Sequence, residues 1–436
     1  MRFSTGTFGV VCAASLLGSV TGPAGAADWP AWRGPRADGT SEETDFPLFW
    51  SPTNNVRWRV DLPDRGNGSP IVAGGRVYVT QATTRDHRRF VAAYDRRDGR
   101  LLWEAGTVYR EKEETHEDNP YAAGSPVTDG SRVVASFGSA GVFAFDPSGR
   151  ELWRRDLGRQ QHQWGYASSP VIRNERVYVY HGPGPGSKVV ALNVNDGRIV
   201  WDKAFPEPVP LTRTDGFKGR TPGVVGGFGT PLAVSVAGRE HLILGQPGEL
   251  IGLDALTGAE LWSDPGLNPL VYTSPLAVGD TVVAMGGYSG SSVAVRVMAA
   301  AGKVEARRVW YEERSKKNRI GSAVAKGRTL YLVDMDGFFE AVDLATGELV
   351  LEERLDGPGA ADASWSSVTL AGDRIYAVNR SGDTFVIRAS REFGVIAVNS
   401  VGEPTNASPA MSDGEIFLRT WTGLWCISEK GKLAAR

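Results

Sequence analysis

Residues 191–201, ALNVNDGRIVW, read as a strand, a tight turn and a second strand that ends in tryptophan. Near-copies are AYDRRDGRLLW (93–103), AFDPSGRELW (144–153), GLDALTGAELW (252–262) and AVDLATGELVL (341–351). Each follows a second recurring unit, made of a small hydroxyl residue, usually Pro, a short apolar strand, a Gly/Asp/Asn turn and an alternating strand. SPIVAGGRVYV (69–79), SPVTDGSRVVA (125–135), SPVIRNERVYV (169–179), SPLAVGDTVVA (274–284) and SPAMSDGEIFL (408–418) are its clear members. Weaker members begin at Thr230, Ser322 and Ser367, so the unit starts eight times, at spacings of 56, 44, 61, 44, 48, 45 and 41 residues. A period near 45 with four short strands per unit is the signature of a β-propeller blade. Eight starts predict a single, all-β, eight-bladed propeller.

The last unit has little chain left after Ser428, so it lacks an outer strand. NNVRWRVDLP (54–63) looks like the outer strands RELWRRDLG and GRLLWEAG. Val56 to Asp61 is therefore expected to complete the eighth blade, closing the ring and leaving no exposed edge. In the Asp-x-x-x-Gly-x-x-x-Trp pattern, the Asp accepts hydrogen bonds from the turn amides and the Gly takes a positive φ. Trp103, Trp153, Trp201 and Trp262 are expected to pack across the junctions between blades. A motif repeated around a ring is a folding device, so Asp196, Gly197 and Trp201 are read as structural.

The first 26 residues have one basic residue, an apolar run and small residues near Ala24, the layout of a cleaved secretory signal. The division expected is a signal peptide (1–26), an N-terminal extension (27–53) and the propeller (54–436). Cys12 lies inside the apolar run, so export without a lipid anchor, to the periplasm or the medium, is expected. The only other cysteine is Cys426, which precludes an intramolecular disulfide in the mature chain. The formal net charge is −2 without long blocks of one sign, and no nucleic-acid footprint appears. No apolar stretch of the mature part reaches the ~18 residues of a membrane span. A monomer is expected.

ALNVNDGRIVW and its relatives resemble the tryptophan-docking repeat of the quinoprotein alcohol dehydrogenase-like propellers, the PQQ-like repeats. DWPAWRGPRADG (28–39), NPYAAGSPVTDG (119–130), SFGSAGVFAFD (136–146) and WGYASSPV (164–171) look like a bacterial exported branch of that superfamily. Quinoprotein dehydrogenases of this kind bind pyrroloquinoline quinone (PQQ) on a disulfide between neighbouring cysteines, with calcium beside a catalytic aspartate. This chain has no neighbouring cysteines, and no Glu/Asn/Asp set aligns to the calcium ligands. The other well-known branch, the propeller lipoprotein of the outer-membrane β-barrel assembly machinery, binds partners and catalyses nothing.

Strand alternation puts the b–c and d–a connections on one face, which carries the long irregular segments and hence any site. Its candidates are His116, Asn119 and Tyr121 in one loop, His162 and Trp164 in another, and Arg220 in a third. Opposite them come Lys317, Arg319 and Trp365. His181, Asp334, Asp336 and Trp421 are the notable residues of b–c loops. Neither histidine sits at metal-ligand spacing, and Asp334-Met335-Asp336-Gly337 lacks the rest of a calcium loop. HGPGPGS (181–187) has no helix after it and reads as a hairpin tip instead of a phosphate cradle.

The reading is a non-catalytic exported scaffold that binds a protein or peptide, with no catalytic residue, metal or cofactor expected. The alternative is a PQQ-dependent oxidoreductase with the quinone over the channel between Trp164 and Trp365, calcium bound nearby, and Arg220 or Lys317 pairing its carboxylates.

Overall fold

The structure is a computed structural model that describes Met1 and residues 27–206, 225–300, 303–313, 317–359 and 363–429. The secretory-signal segment 2–26 and Arg220 lie outside the described residues.

Eight antiparallel four-stranded sheets follow one another around a ring. The first blade is Ile71–Ala73, Arg76–Ala82, Arg88–Asp95 and Leu101–Val108. The next six occupy 127–155, 171–204, 232–265, 276–312, 324–354 and 369–400. The eighth combines Ala410–Ser412, Glu415–Arg419 and Gly423–Ile427 with the N-terminal strand Val56–Asp61, which pairs antiparallel to Gly423–Ile427. The expected closure by the N-terminal strand is therefore what the chain does. Among the described residues the single helical element is the 3-10 turn Gly138–Ala140, and no helix is long and apolar enough to cross a membrane.

The repeat acts through one local device. In every blade the register between the third and outer strands slips by one residue, at Ala191/Leu192 in the third blade and at the equivalent pair in the other seven. In the first five blades and the eighth, this bulge swings a tryptophan toward the following blade. The residue opposite it is small, as in Ala93 beneath Trp103, Ala191 beneath Trp201 and Gly252 beneath Trp262, because the indole needs that space. Indole N–H groups then donate to carbonyls of the next blade: Trp103 to Pro147, Trp153 to Val194, Trp201 to Ala255 and Trp310 to Leu344, at 2.8–3.1 Å. Trp58 of the N-terminal strand does the same to Arg96, so the closing junction uses the same device as those four. Between sheets, apolar residues of adjacent blades form buried clusters such as Val127, Val134, Val177 and Leu192.

The ring centre holds a feature that the repeat does not announce. The N-terminal extension enters the channel along the inner strands. Trp29 pairs with Val72 of the first blade, and the Pro30 carbonyl accepts the Thr128 amide of the second. Arg33, buried, donates to the Ser322 and Ala323 carbonyls of the sixth. Thr40–Ser41 then adds a parallel strand to Leu370 and Ala371 of the seventh. The segment thus bridges the channel from blades 1 and 2 to blades 6 and 7, and plugs it.

Candidate functional site

Each blade opens on the hydroxyl residue that marks its start, and these residues are joined into a belt. The backbone amides of Ser125, Ser169, Thr230, Ser274, Ser322, Ser367 and Ser408 donate to the hydroxyls of Ser169, Thr230, Ser274, Ser322, Ser367, Ser408 and Ser69 respectively, at 2.8–3.0 Å. Between blades 1 and 2, the Thr80 hydroxyl donates to the Gly124 carbonyl at 2.7 Å. The proline that usually follows costs nothing, because the inner strand is a sheet edge whose N–H would find no partner strand.

The two residues before each start divide the labour. The residue immediately before is small because it touches its counterpart in the next blade. A Cβ on Gly229 would lie 2.5 Å from the Thr273 carbonyl oxygen, and one on Gly321 2.2 Å from that of Ser366. The residue two before points the same way as the hydroxyl, since strand side chains alternate. These residues are Asn67, Ala123, Ala167, Phe228, Tyr272, Ile320, Trp365 and Asn406, and all eight line one central cavity of about 330 Å³.

The cavity is two-sided. Blades 4 to 7 contribute Phe228, Tyr272, Ile320 and Trp365, to which Trp164 and Tyr288 add further rings. Phe228 and Tyr272 are near-parallel at 5.2 Å between centroids, and Trp164 lies within 30° of both at 6.4 and 6.5 Å. Tyr288 meets Tyr272 edge-on. The other side is formed by Asn67, Asn119, Asn406, Ala123, Ala167 and His116. Trp32 of the plug also lines the cavity, which makes it a cup open at the loop face.

Of the residues expected from sequence, His116, Asn119, Trp164 and Trp365 meet at this cup. Asn119 holds Trp164 in place, its amide donating to the Trp164 and Tyr166 carbonyls at 2.7 and 3.1 Å. His116 sits 6.1 Å from the Trp365 ring and edge-on to Trp164 at 6.3 Å. Four others stand elsewhere. His162 supports Trp164 and Phe228 from behind, edge-on to each, and burial pushes its pKa down to about 4. Tyr121 donates to the Glu113 carbonyl at 2.8 Å and is stacked on Arg89. Lys317 pairs with Glu352 on the sixth blade. Arg319, 3% exposed, binds Glu340, Glu312 and Ser292 at 2.9–3.0 Å, so its charge is spent inside the ring.

Asn67, Phe228, Tyr272, Tyr288, Ile320, Asn406 and Trp32 were not expected. Seven of the eight blade-lining positions besides Trp365 become readable only by counting two residues back from each start, a repeat-relative position instead of a motif. The plug carries no such signal.

Beside the cup, Asp118 is held by Arg380 and, at 3.8 Å, by Arg65. Both guanidiniums flank Trp421, Arg65 at 3.7 Å and Arg380 at 5.5 Å from its ring. His116, Glu117 and Asp118 bring potential ligand atoms within 4.8 Å of one another. However, the His116 Nδ1 already accepts the Asp118 amide at 3.1 Å, and Asp118 is neutralised by arginine. Among the described residues the donor set for the quinone alternative is not brought together at the cup, and Arg220 lies outside them. The described residues lining the cup contain no lysine, arginine, aspartate or glutamate to hold quinone carboxylates or calcium, and Cys426 is buried in the eighth blade.

Comparison with known proteins agrees with this architecture. The family model described as "Outer membrane protein assembly factor BamB" matches residues 48–185, 87–216 and 185–434. The outer membrane protein assembly factor BamB of Burkholderia pseudomallei is 25% identical over 358 residues, covering 73% of this chain and 84% of the relative. Among solved structures, BamB from Moraxella catarrhalis superposes with a TM-score of 0.59 at 17% identity, over 87% of this chain and 99% of that one. Quinohemoprotein alcohol dehydrogenase from Comamonas testosteroni gives 0.62 at 12% identity, over 94% and 82%. At these identities the two structures speak to the fold alone.

Proposed function

The chain belongs to the family of outer membrane protein assembly factor BamB, a PQQ-like repeat propeller, and from that premise we propose that it is a non-catalytic scaffold that binds a protein partner at its loop face in the periplasm. The observation that carries this reading is the rim cluster in which Trp421 is flanked by Arg65 and Arg380. Tryptophan and arginine are the side chains that dominate binding energy at protein interfaces. Here they stand on loops at one end of a rigid ring, where a partner can reach them. The names of the relatives point to outer membrane protein assembly as the process served, and the N-terminal segment 1–26 supports delivery across the inner membrane. The propeller boundary at residue 54 and a monomeric state are part of the same proposal.

The test is chemical crosslinking in the native cell from a photoreactive residue at position 421, compared with one at Leu349 on the outer edge. A discrete adduct with a component of the outer-membrane assembly apparatus from position 421 alone is expected, along with reduced outer-membrane protein levels when the gene is removed. Unchanged levels and no adduct would overturn the reading. Saturable binding of PQQ with calcium, accompanied by alcohol oxidation, would favour the oxidoreductase instead.

A further inference from the structure

We infer that the central cup is a binding site for a neutral, short saccharide. This goes beyond the partner reading and does not depend on it, because it concerns the cavity inside the ring and not the rim.

Three properties of the cup select the ligand. The described lining residues carry no formal charge apart from any on His116, so a strongly ionic ligand would lose its hydration without gaining a counter-charge. The lining is divided, with Trp164, Phe228, Tyr272 and Trp365 on one side and carboxamides on the other. A sugar ring has the matching division: a face of C–H groups that packs on aromatic rings and an edge of hydroxyls that hydrogen-bond. A purely apolar ligand would bury the carboxamides unmet, and a long extended peptide cannot thread a channel that Trp32 and Arg33 close.

The polar side is equipped for hydroxyls. Asn67 and Asn406 both donate to the Asp118 carbonyl, at 2.7 and 3.3 Å. Their Oδ1 atoms are buried and have no hydrogen-bond partner among the described residues, and Asn406 is only 7% exposed. An acceptor buried without a partner is unfavourable, and a ligand hydroxyl toward which either carboxamide turns relieves it. Below them lies the hydroxyl belt. Each belt oxygen that accepts a neighbour's amide still has its own hydrogen to donate. The cup volume of about 330 Å³ falls at the small end of the ~300–1,000 Å³ typical of small-molecule sites, which suits a short saccharide.

The experiment is a titration of the full mature protein with cellobiose, maltose and N,N′-diacetylchitobiose, read by tryptophan fluorescence and by calorimetry, with choline as a cationic control. A saturable response to at least one saccharide is expected, weakened at least tenfold in Trp365→Ala and in Asn406→Ala. Trp365→Phe, which keeps an aromatic face, should retain most of it, and Leu349→Ala on the exposed outer edge should leave it unchanged. Thermal melting of each variant reports folding separately. No response to any saccharide at millimolar concentration overturns the proposal, as does a response that survives Trp365→Ala or a preference for choline. Loss of the saccharide response with the rim crosslink retained would leave the partner reading standing.

Discussion

The indole of Trp201 lies over Gly258 of the following blade so closely that a Cβ at Gly258 would sit 2.6 Å from its ring, while its N–H donates to the Ala255 carbonyl at 3.1 Å. The same pairing joins Trp153 to Gly197 and Trp310 to Gly347. The glycine therefore serves two ends: it adopts a positive φ, +75° at Gly258, and it leaves room for the neighbour's ring.

Gly258→Ala should destabilise the protein by about 2 kcal/mol or more, since the added methyl meets both a left-handed backbone and the indole. Trp201→Ala should cost ~3–5 kcal/mol as a large-to-small change at a packed junction. Denaturant melts check both. The double variant should cost less than the sum, because the clash and the cavity concern the same space.

Ring closure rests on Glu415, a buried carboxylate that binds Arg57 of the N-terminal strand at 2.5 Å and Arg96 of the first blade at 2.7 Å. Glu415→Gln leaves Arg57 without its counter-charge and Arg96 with Asp413 alone, at 3.8 Å, and should cost on the order of 3 kcal/mol. Removing residues 28–62, which takes away both the plug and the closing strand, should lower the melting temperature far more than that single change. An unchanged melting temperature after the truncation would contradict closure by the N-terminal strand.

Two buried histidines make stability depend on pH. Burial holds both His162 and His181 down to about 4, with Lys188 adding to the effect at His181. In the unfolded chain each titrates near ~6.5. Between these values the unfolded state binds more protons, so stability is complete above about pH 6.5 and is lost as pH falls toward 4. The loss should be on the order of 2 kcal/mol per histidine. Melting temperatures across this range should fall less steeply in His181→Gln than in the parent protein.

The hydroxyl belt can be tested at one link. Ser367 accepts the Ser322 amide at 2.9 Å and donates its own amide to Ser408. Ser367→Ala leaves the Ser322 N–H unmet and should cost about 1–3 kcal/mol, whereas Ser367→Thr keeps the acceptor and follows the substitution already present at Thr230. Hydrogen exchange at the Ser322 amide should accelerate in the alanine variant only.

How much of the site could be read from the chain varies residue by residue. Trp164 and Trp365 stand out as tryptophans in long loops, and they do meet at the cup. Arg319 stands out as a cation in such a loop, yet it serves an internal ion-pair network, since its partner Glu340 is supplied by a strand 21 residues further on. Phe228, Tyr272 and Asn406 look unremarkable beside their glycines and threonines. What puts them at the cavity is their place two residues ahead of a belt hydroxyl.

The sequence by itself determined the ring: eight starts, a period near 45, a glycine turn before each tryptophan of the repeat, and an N-terminal segment shaped like a missing outer strand. These are local rules, and a repeat states each of them several times. Only the tertiary structure decided what fills the middle. The plug of Trp29 to Arg33 and the division of the cup into aromatic and carboxamide sides depend on contacts between blades that lie far apart in the chain, such as Arg33 with Ser322 and Asn67 with Asp118. No local pattern encodes such contacts, because each partner takes its position from the closure of the whole ring.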